Sequence, residues 1–232
     1  MHSPQVAVIV PAAGKGTRLG GQRKQFRLLD GKPLLIRSLE VFQLHPEIDL
    51  IVVAVPGGEE NRVQEALHAA GLSKVGRVVA GGASRQASVY EGLKAVPASF
   101  DYVLVHDGVR PFVAQTLVSD VVSGLTEHGA AALAIPVTDT LRAGAEDVFG
   151  QTRPRDGLYR MQTPQGCRRD WFLQAHQHAI ASGIEATDDV DLVQRAGFPV
   201  HIITGSSLNI KITTKADWDL ACIIWPAWQQ EK

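Results

Sequence analysis

Residues 6–18, Val-Ala-Val-Ile-Val-Pro-Ala-Ala-Gly-Lys-Gly-Thr-Arg, join an apolar run to a loop of small residues carrying two cations, Lys15 and Arg18. A third, Lys24, follows in Arg23-Lys24-Gln25-Phe26. With little Cβ bulk at Ala12, Ala13, Gly14 and Gly16, the backbone can close around a phosphate and aim its N–H groups at it. The cations then offset the ligand's charge, which suits a nucleoside triphosphate better than a neutral metabolite. Read alone, such a loop is equally a tight strand-to-helix turn; Arg18 and Lys24 in close succession favour the phosphate. Two related motifs fail. A Walker A loop needs Lys followed by Ser or Thr, and Lys15 is followed by Gly16. A dinucleotide fingerprint needs glycine where Leu19 stands, and an acidic residue closing the second strand, where Val55-Pro56-Gly57 is found.

Four further stretches carry chemistry. Gly81-Gly82-Ala83-Ser84-Arg85-Gln86-Ala87-Ser88 repeats the small-residue pattern after an apolar run. Ser84 can cap a helix containing Val89 and Leu93. An ordinary capped helix explains Ser84 but leaves Arg85 and Ser88 without a task. In His106-Asp107-Gly108-Val109-Arg110-Pro111, Asp107 could hold a magnesium ion or a ligand hydroxyl, and Arg110 a phosphate. The alternative is a plain Asp–Arg surface pair, and His106 reads as a packed strand-end residue rather than a base. Later come Arg155, the Thr163-Pro164-Gln165 turn, and Asn209-Ile210-Lys211-Ile212-Thr213. Alternation makes the last an amphipathic edge strand, or else a polar interruption with Lys211 facing a ligand. His176 and His178 are two apart and cannot share a helix face, so nothing points to zinc.

The elements that must position these residues alternate. Val6–Val10, Leu50–Val55, Val75–Ala80, Tyr102–His106, Ala131–Val137 and Val200–Thr204 read as strands buried on both faces of a mostly parallel sheet. Helical faces lie between them. Val63, Ala66, Leu67 and Ala70 share one, and Leu117, Val118, Val121, Val122 and Leu125 another. Pro33 suits the first turn of a helix through Phe42, and Asp188-Asp189 the start of one through Val193. Alternation argues for a layered α/β/α domain with right-handed crossovers. The segment 139–160, rich in Arg, Asp, Gly and Thr, breaks the rhythm and predicts a protruding β-arm packed on a partner subunit, with a surface insertion as the alternative.

Composition bounds the rest. A chain of 232 residues, 45% apolar and 20% charged, can bury a substantial core. Its formal net charge of −1 excludes broad nucleic-acid or anionic-membrane binding. Cys167 and Cys222 lie far apart in sequence and form no C-x-x-C, which reads as buried or idle thiols in a reducing compartment, with a disulfide as the alternative. No apolar stretch approaches the ~20 residues of a membrane span, and the reading is of a cytoplasmic, soluble protein.

Taken together, the chain resembles the 2-C-methyl-D-erythritol 4-phosphate cytidylyltransferases of non-mevalonate isoprenoid synthesis. The matching pieces are Pro-Ala-Ala-Gly-x-Gly-x-Arg (11–18), Lys24-Gln25, Gly-Gly-x-x-Arg-x-x-Ser (81–88), His-Asp-x-x-Arg-Pro (106–111), Pro-Val-x-Asp-Thr (136–140), Thr-Pro-Gln (163–165), Thr-Asp-Asp (187–189) and Asn-Ile-Lys (209–211), in family order. The resemblance implies a single Rossmann-like nucleotidyltransferase domain over 1–232. It also implies a homodimer in which the arm of each subunit helps complete its neighbour's site. By position, Arg18 and Lys24 would steady the α-phosphate transition state and pyrophosphate. Arg155 and Lys211 would position the attacking sugar phosphate. Pro11, Ala12, Ala13, Gly14, Lys15, Gly82, Arg85, Ser88 and Asp107 would hold CTP, with magnesium at Asp107. Arg110, Thr140 and Thr163 would contact the sugar phosphate. The chain departs at Gly108-Val109, where the family often has two alanines, and at Gln86-Ala87, in place of an acidic pair. Ribitol-5-phosphate cytidylyltransferase, a sister enzyme with another acceptor, is the alternative.

Overall fold

Val6, Val8 and Val10 project from one face of strand β1 (Val6–Pro11) and Ala7 and Ile9 from the other, and all five are fully buried. Burial on both faces is why the run is continuously apolar rather than alternating. The computed structural model describes residues 4–14 and 24–230. Lys15 and Arg18 lie outside the described residues.

After β1 come a 3-10 turn (Lys24–Phe26), a small hairpin of β2 (Leu28–Leu29) and β3 (Lys32–Pro33), and helix α1 (Leu34–Leu44). Next are β4 (Leu50–Val55), α2 (Glu60–Ala69), β5 (Val75–Ala80), α3 (Arg85–Ala95), β6 (Tyr102–Val105), α4 (Gln115–His128) and β7 (Ala130–Pro136). A second hairpin, β8 (Leu141–Ala145) and β9 (Val148–Arg153), precedes β10 (Tyr159–Arg168), α5 (Arg169–Ser182), α6 (Asp189–Arg195), β11 (His201–Thr204) and α7 (Lys215–Trp228).

Seven strands form one sheet in the order β11-β7-β10-β6-β1-β4-β5. Within it only β10 runs antiparallel to its neighbours. Helices α1, α2 and α4 cover the face of Val6, Val8 and Val10; α3, α5 and α6 cover that of Ala7 and Ile9. This is the three-layer α/β/α, Rossmann-like arrangement of a mostly parallel sheet. A third cluster sets α7, through Trp218, Ala221, Trp225 and Trp228, against Leu29, Leu34, Val109, Phe112 and Ile212.

Three expectations need adjustment. Thr163-Pro164-Gln165 is not a turn but the middle of β10. Proline there would argue against a central strand, since it cannot donate to a ladder. The pairing of β10 with β7 breaks register between Met161 and Gln165, so the missing N–H falls where the ladder is already interrupted. Residues 209–213 form no strand; the Ile212 N–H donates to Val109 O (3.0 Å), which ties this segment to the loop after β6. Within 139–160, the hairpin occupies Leu141 to Arg153, whereas Tyr159 and Arg160 already pair with β7 in the main sheet.

Candidate active site

Strand β1 sits where the topology switches: β4 and β5 succeed it on one side, and β6 flanks it on the other. Loops leaving the carboxyl ends of two such strands diverge and open a crevice. The loop after β1 begins with the Ala12 N–H donating to Ala54 O (2.7 Å). Opposite it, the Gly81 N–H donates to Val55 O (2.7 Å). A Cβ on Gly81 would collide with the Ala13 methyl, and one on Gly82 would stand 2.5 Å from the Ala87 Cβ. Glycine is therefore what lets the loop after β5 lie against the loop after β1. Ser84 caps α3, its hydroxyl accepting the Ala87 N–H (3.1 Å). The Ser88 hydroxyl lies 2.8 Å from Ser84 O and 3.3 Å from Gly82 O, so it braces the same turn.

Behind these loops lies a charge cluster. Asp107 is almost wholly buried and meets three cations: Arg85 Nε at 3.3 Å from Oδ1, and Arg110 Nε at 3.3 Å and Lys211 Nζ at 3.0 Å from Oδ2. Burial alone would raise this carboxyl's pKa, but Arg85, Lys211 and Arg110 outweigh it and hold Asp107 well below the usual carboxylate range. Arg85 also reaches Asp189 Oδ2 (2.7 Å), from the first turn of α6. Burial pushes the Asp189 carboxyl upward despite Arg85.

The frame around the cluster is made of polar side chains holding backbone. The Asp107 N–H donates to Thr163 Oγ1 (3.0 Å). His106 Nε2 donates to the Arg110 carbonyl (3.0 Å), which leaves Nδ1 to accept from the Thr163 hydroxyl (3.1 Å). Full burial lowers the His106 pKa to about 4, so the ring stays neutral and serves as a brace. Asn209 Nδ2 donates to Thr163 O (2.9 Å), while Asn209 O accepts from Arg110 (2.7 Å). The register break in β10 frees Thr163 for these contacts.

Two cavities adjoin. The larger, about 700 Å³, is lined by Pro11, Ala12, Ala13, Gly14, Lys24 and Gln25 on one wall and by 82–85, Ser88, 107–109 and Lys211 on the other. The smaller, about 100 Å³, includes Arg110, Met161, Gln162, Thr163, Thr187 and Asp188. Arg85, Asp107 and Lys211 line both. One chain thus brings together Pro11–Gly14, Lys24, Gly82, Arg85, Ser88, Asp107, Arg110, Thr163 and Lys211. Thr140 and Arg155 line neither cavity; both are exposed at the base of the second hairpin, where Arg155 donates to Thr138 O. Sequence reasoning gave no site role to Gln25, Asn209 or Asp189. The signal for Asp189 lay in Thr187-Asp188-Asp189, but its partner Arg85 is distant in sequence and no local pattern joins them.

Among the described residues no group of three His, Cys, Asp or Glu side chains is placed to hold a metal ion. Magnesium bound mainly by nucleotide phosphates and water needs only one or two carboxylates. Asp107 is the one carboxylate among the described residues of the larger cavity, and its Oδ1 carries a single cation contact, so the donor set fits that mode.

Comparison with known proteins agrees with this geometry. The family model for 2-C-methyl-D-erythritol 4-phosphate cytidylyltransferase matches residues 6–226. The enzyme of that name from Salinibacter ruber is 51% identical over 224 residues, covering 97% of this chain and 94% of that protein. The crystal structure of the Thermus thermophilus enzyme aligns with a TM-score of 0.80 at 36% identity, over 95% of this chain and 98% of that one. A 4-diphosphocytidyl-2C-methyl-D-erythritol synthase from Anaerococcus prevotii aligns at 0.82 and 28%, over 97% and 100%. Sequence motifs, sheet order and cleft converge, and the chain belongs to the 2-C-methyl-D-erythritol 4-phosphate cytidylyltransferase family.

Proposed function

We propose that the two adjoining cavities hold the two substrates of the family reaction side by side. The chain is a nucleotidyltransferase that converts CTP and 2-C-methyl-D-erythritol 4-phosphate to 4-diphosphocytidyl-2-C-methyl-D-erythritol and pyrophosphate, in isoprenoid biosynthesis. CTP occupies the larger cavity, its triphosphate against residues 11–14, and the acceptor phosphate occupies the smaller. An oxygen of the acceptor phosphate attacks the α-phosphorus of CTP. The bond from that phosphorus to the bridging oxygen breaks, and pyrophosphate leaves in line. No general base is required, because the attacking phosphate is already ionised.

The obstacle is repulsion between two polyanions, and cations fixed in advance lower it. Lys211 and Arg85 stand on the wall common to both cavities, where the reacting phosphates meet. Lys15, Arg18 and Lys24 serve the triphosphate, with Arg18 and Lys24 steadying the transition state. Arg110 and Thr163 take the acceptor. Asp107 and the nucleotide phosphates would hold magnesium, which would supply further charge neutralisation.

Arg155 and Thr140 act on the neighbouring subunit's site in a homodimer. Val148 and Phe149, at 70% and 81% exposure on the second hairpin, are the apolar surface such a partner would cover. The chain works as a single domain over 1–232 in the cytoplasm, and within 139–160 the hairpin of 141–153 with the residues at its base is its dimerisation arm. No described helix is long and apolar enough to cross a membrane. The observation that carries this reading is the shared wall of Arg85, Asp107 and Lys211. The test is pyrophosphate release from CTP with each acceptor in turn: 2-C-methyl-D-erythritol 4-phosphate supports turnover and ribitol 5-phosphate does not. Turnover with ribitol 5-phosphate alone would overturn the assignment of acceptor.

A further inference from the structure

Gln25 is a polar side chain at only 3% exposure, set between Lys24 and Phe26 in the 3-10 turn. Its amide nitrogen donates twice, to Ala12 O at 2.8 Å and to Gly14 O at 3.2 Å. These carbonyls belong to the loop that forms one wall of the larger cavity. A carbonyl facing that cavity would present its negative end to a polyanion. In a trans peptide the C=O and the following N–H point opposite ways. Drawing Ala12 O toward Gln25 therefore sends the Ala13 N–H in the other direction.

We propose that Gln25 is a positioning residue for the nucleotide: its one carboxamide withdraws the Ala12 and Gly14 carbonyls from the cleft and ties the loop to the turn that carries Lys24. The inference rests on the proposed placement of the triphosphate at residues 11–14. A purely structural glutamine could bond any nearby backbone. Gln25 instead spends both donors on alternate carbonyls of the one loop that must bind an anion, from a position adjacent to a cation lining the same cavity. Its effect is on how CTP is bound and not on the acceptor's cavity, which it does not line.

The test compares Gln25→Met, which keeps length and removes both donors, with Gln25→Glu, which sets an acceptor against two acceptors. Equilibrium binding of CTP weakens about 30-fold in the first and more in the second, as when buried carbonyls lose their donors. The KM for the acceptor stays within threefold of wild type. In the wild-type chain, the Gln25 side-chain amide protons exchange with water at least tenfold more slowly than those of exposed Gln177, and remain protected with CTP bound. That measurement needs no variant to fold. CTP affinity within threefold of wild type in a folded Gln25→Met, equal losses in CTP and acceptor, or loss of amide protection on CTP binding would each overturn the inference. Lys24→Ala separates the two levels. If it weakens CTP while the Gln25 variants do not, only the role of Gln25 falls; if neither weakens CTP, the placement of the triphosphate falls with it.

Discussion

Replacing Asp107 with asparagine removes the one negative charge at which Arg85, Arg110 and Lys211 converge, within 3.0–3.3 Å. The three cations are not equally affected. The side chains of Lys211 and Arg85 are 40% and 29% exposed, so water takes up much of their loss, whereas that of Arg110 is 10% exposed. Arg110 keeps the carbonyls of Asn209 and Met161 but loses its carboxylate. Breaking a buried pair costs roughly 3–5 kcal/mol, and the surviving bonds place this variant at about 3. For a chain of this size that corresponds to roughly 6–12 °C in melting temperature. The pH dependence follows from the sign of the shift. Because the folded carboxyl is held below its unfolded value, its stabilisation is complete above the unfolded pKa, about 4, and is lost as pH falls toward the folded one. The gap between wild type and Asp107→Asn in urea denaturation should thus be constant from pH 5 to 8 and close only in stronger acid. In pyrophosphate-release assays the variant also loses activity, because Lys211 is no longer held and the proposed magnesium ligand is gone. The part that acts through Lys211 is shared, so its effect on kcat/KM adds only in part to that of Lys211→Ala. A stability loss under about 1 kcal/mol, a gap that varies between pH 5 and 8, or fully additive kinetic effects would refute the reasoning.

Lys24→Ala or Lys211→Ala lowers kcat/KM on the order of 10²–10³-fold, as loss of one preorganised electrostatic contact does elsewhere; a loss below roughly tenfold in a folded variant removes that residue from the catalytic group. His176, ringed by Tyr90 and Phe172 with its Nε2 unpartnered, has its pKa lowered to about 4 by burial. The unfolded chain takes up this proton below about pH 6.5 and the folded chain does not until about 4, so stability falls across that window; His176→Phe should recover about 2 kcal/mol at pH 5 relative to its effect at pH 8, and an equal effect at both pH values would exclude the mechanism. Phe149→Asp on the second hairpin should shift the chain to monomer in analytical ultracentrifugation and abolish turnover. Mixing Lys24→Ala with Arg155→Ala subunits under exchange should restore about a quarter of wild-type activity, since half the dimers are mixed and each has one intact site; no recovery would place Arg155 outside the neighbour's site.

The sheet was largely legible because its inner parallel strands, β1, β4, β6 and β7, are buried on both sides. The expectation of two-sided burial fails at β5 and β11, which form the edges of the sheet and are mostly exposed or half-buried. Leu50–Val55 and Val75–Ala80 end where the sequence turns to Pro56-Gly57-Gly58 and Gly81-Gly82, residues that close a strand rather than extend it. Ser84 and Asp188 announced helix starts through chemistry confined to a single turn. β10 was hidden for the opposite reason. Arg160, Gln162, Pro164 and Gln165 make a poor strand signal, and they are tolerated because neighbours supply what they lack. Gln165 Nε2 donates to Gln162 O and its Oε1 accepts the Asp189 N–H, so a polar strand is satisfied within the sheet by bonds its own sequence does not reveal.

The same division runs through the site. Motifs located each loop, because small residues after a strand are a local signal. Which side chains meet across the loops is a tertiary matter. Arg85, Asp107, Asp189 and Lys211 come from four separate segments, and only the sheet order makes them one cluster. That origin has a mechanical consequence. Lys211 is held from below by Ile212, whose N–H bonds Val109 O, and from the side by Asp107, two residues before Val109. Ile212 and Val109 also belong to the α7 cluster with Leu29 and Leu34, a few residues beyond Lys24. Both walls of the larger cavity therefore stand on one small apolar core. Its packing sets the separation of Lys24 and Lys211, and so the space in which two polyanions must be brought into contact.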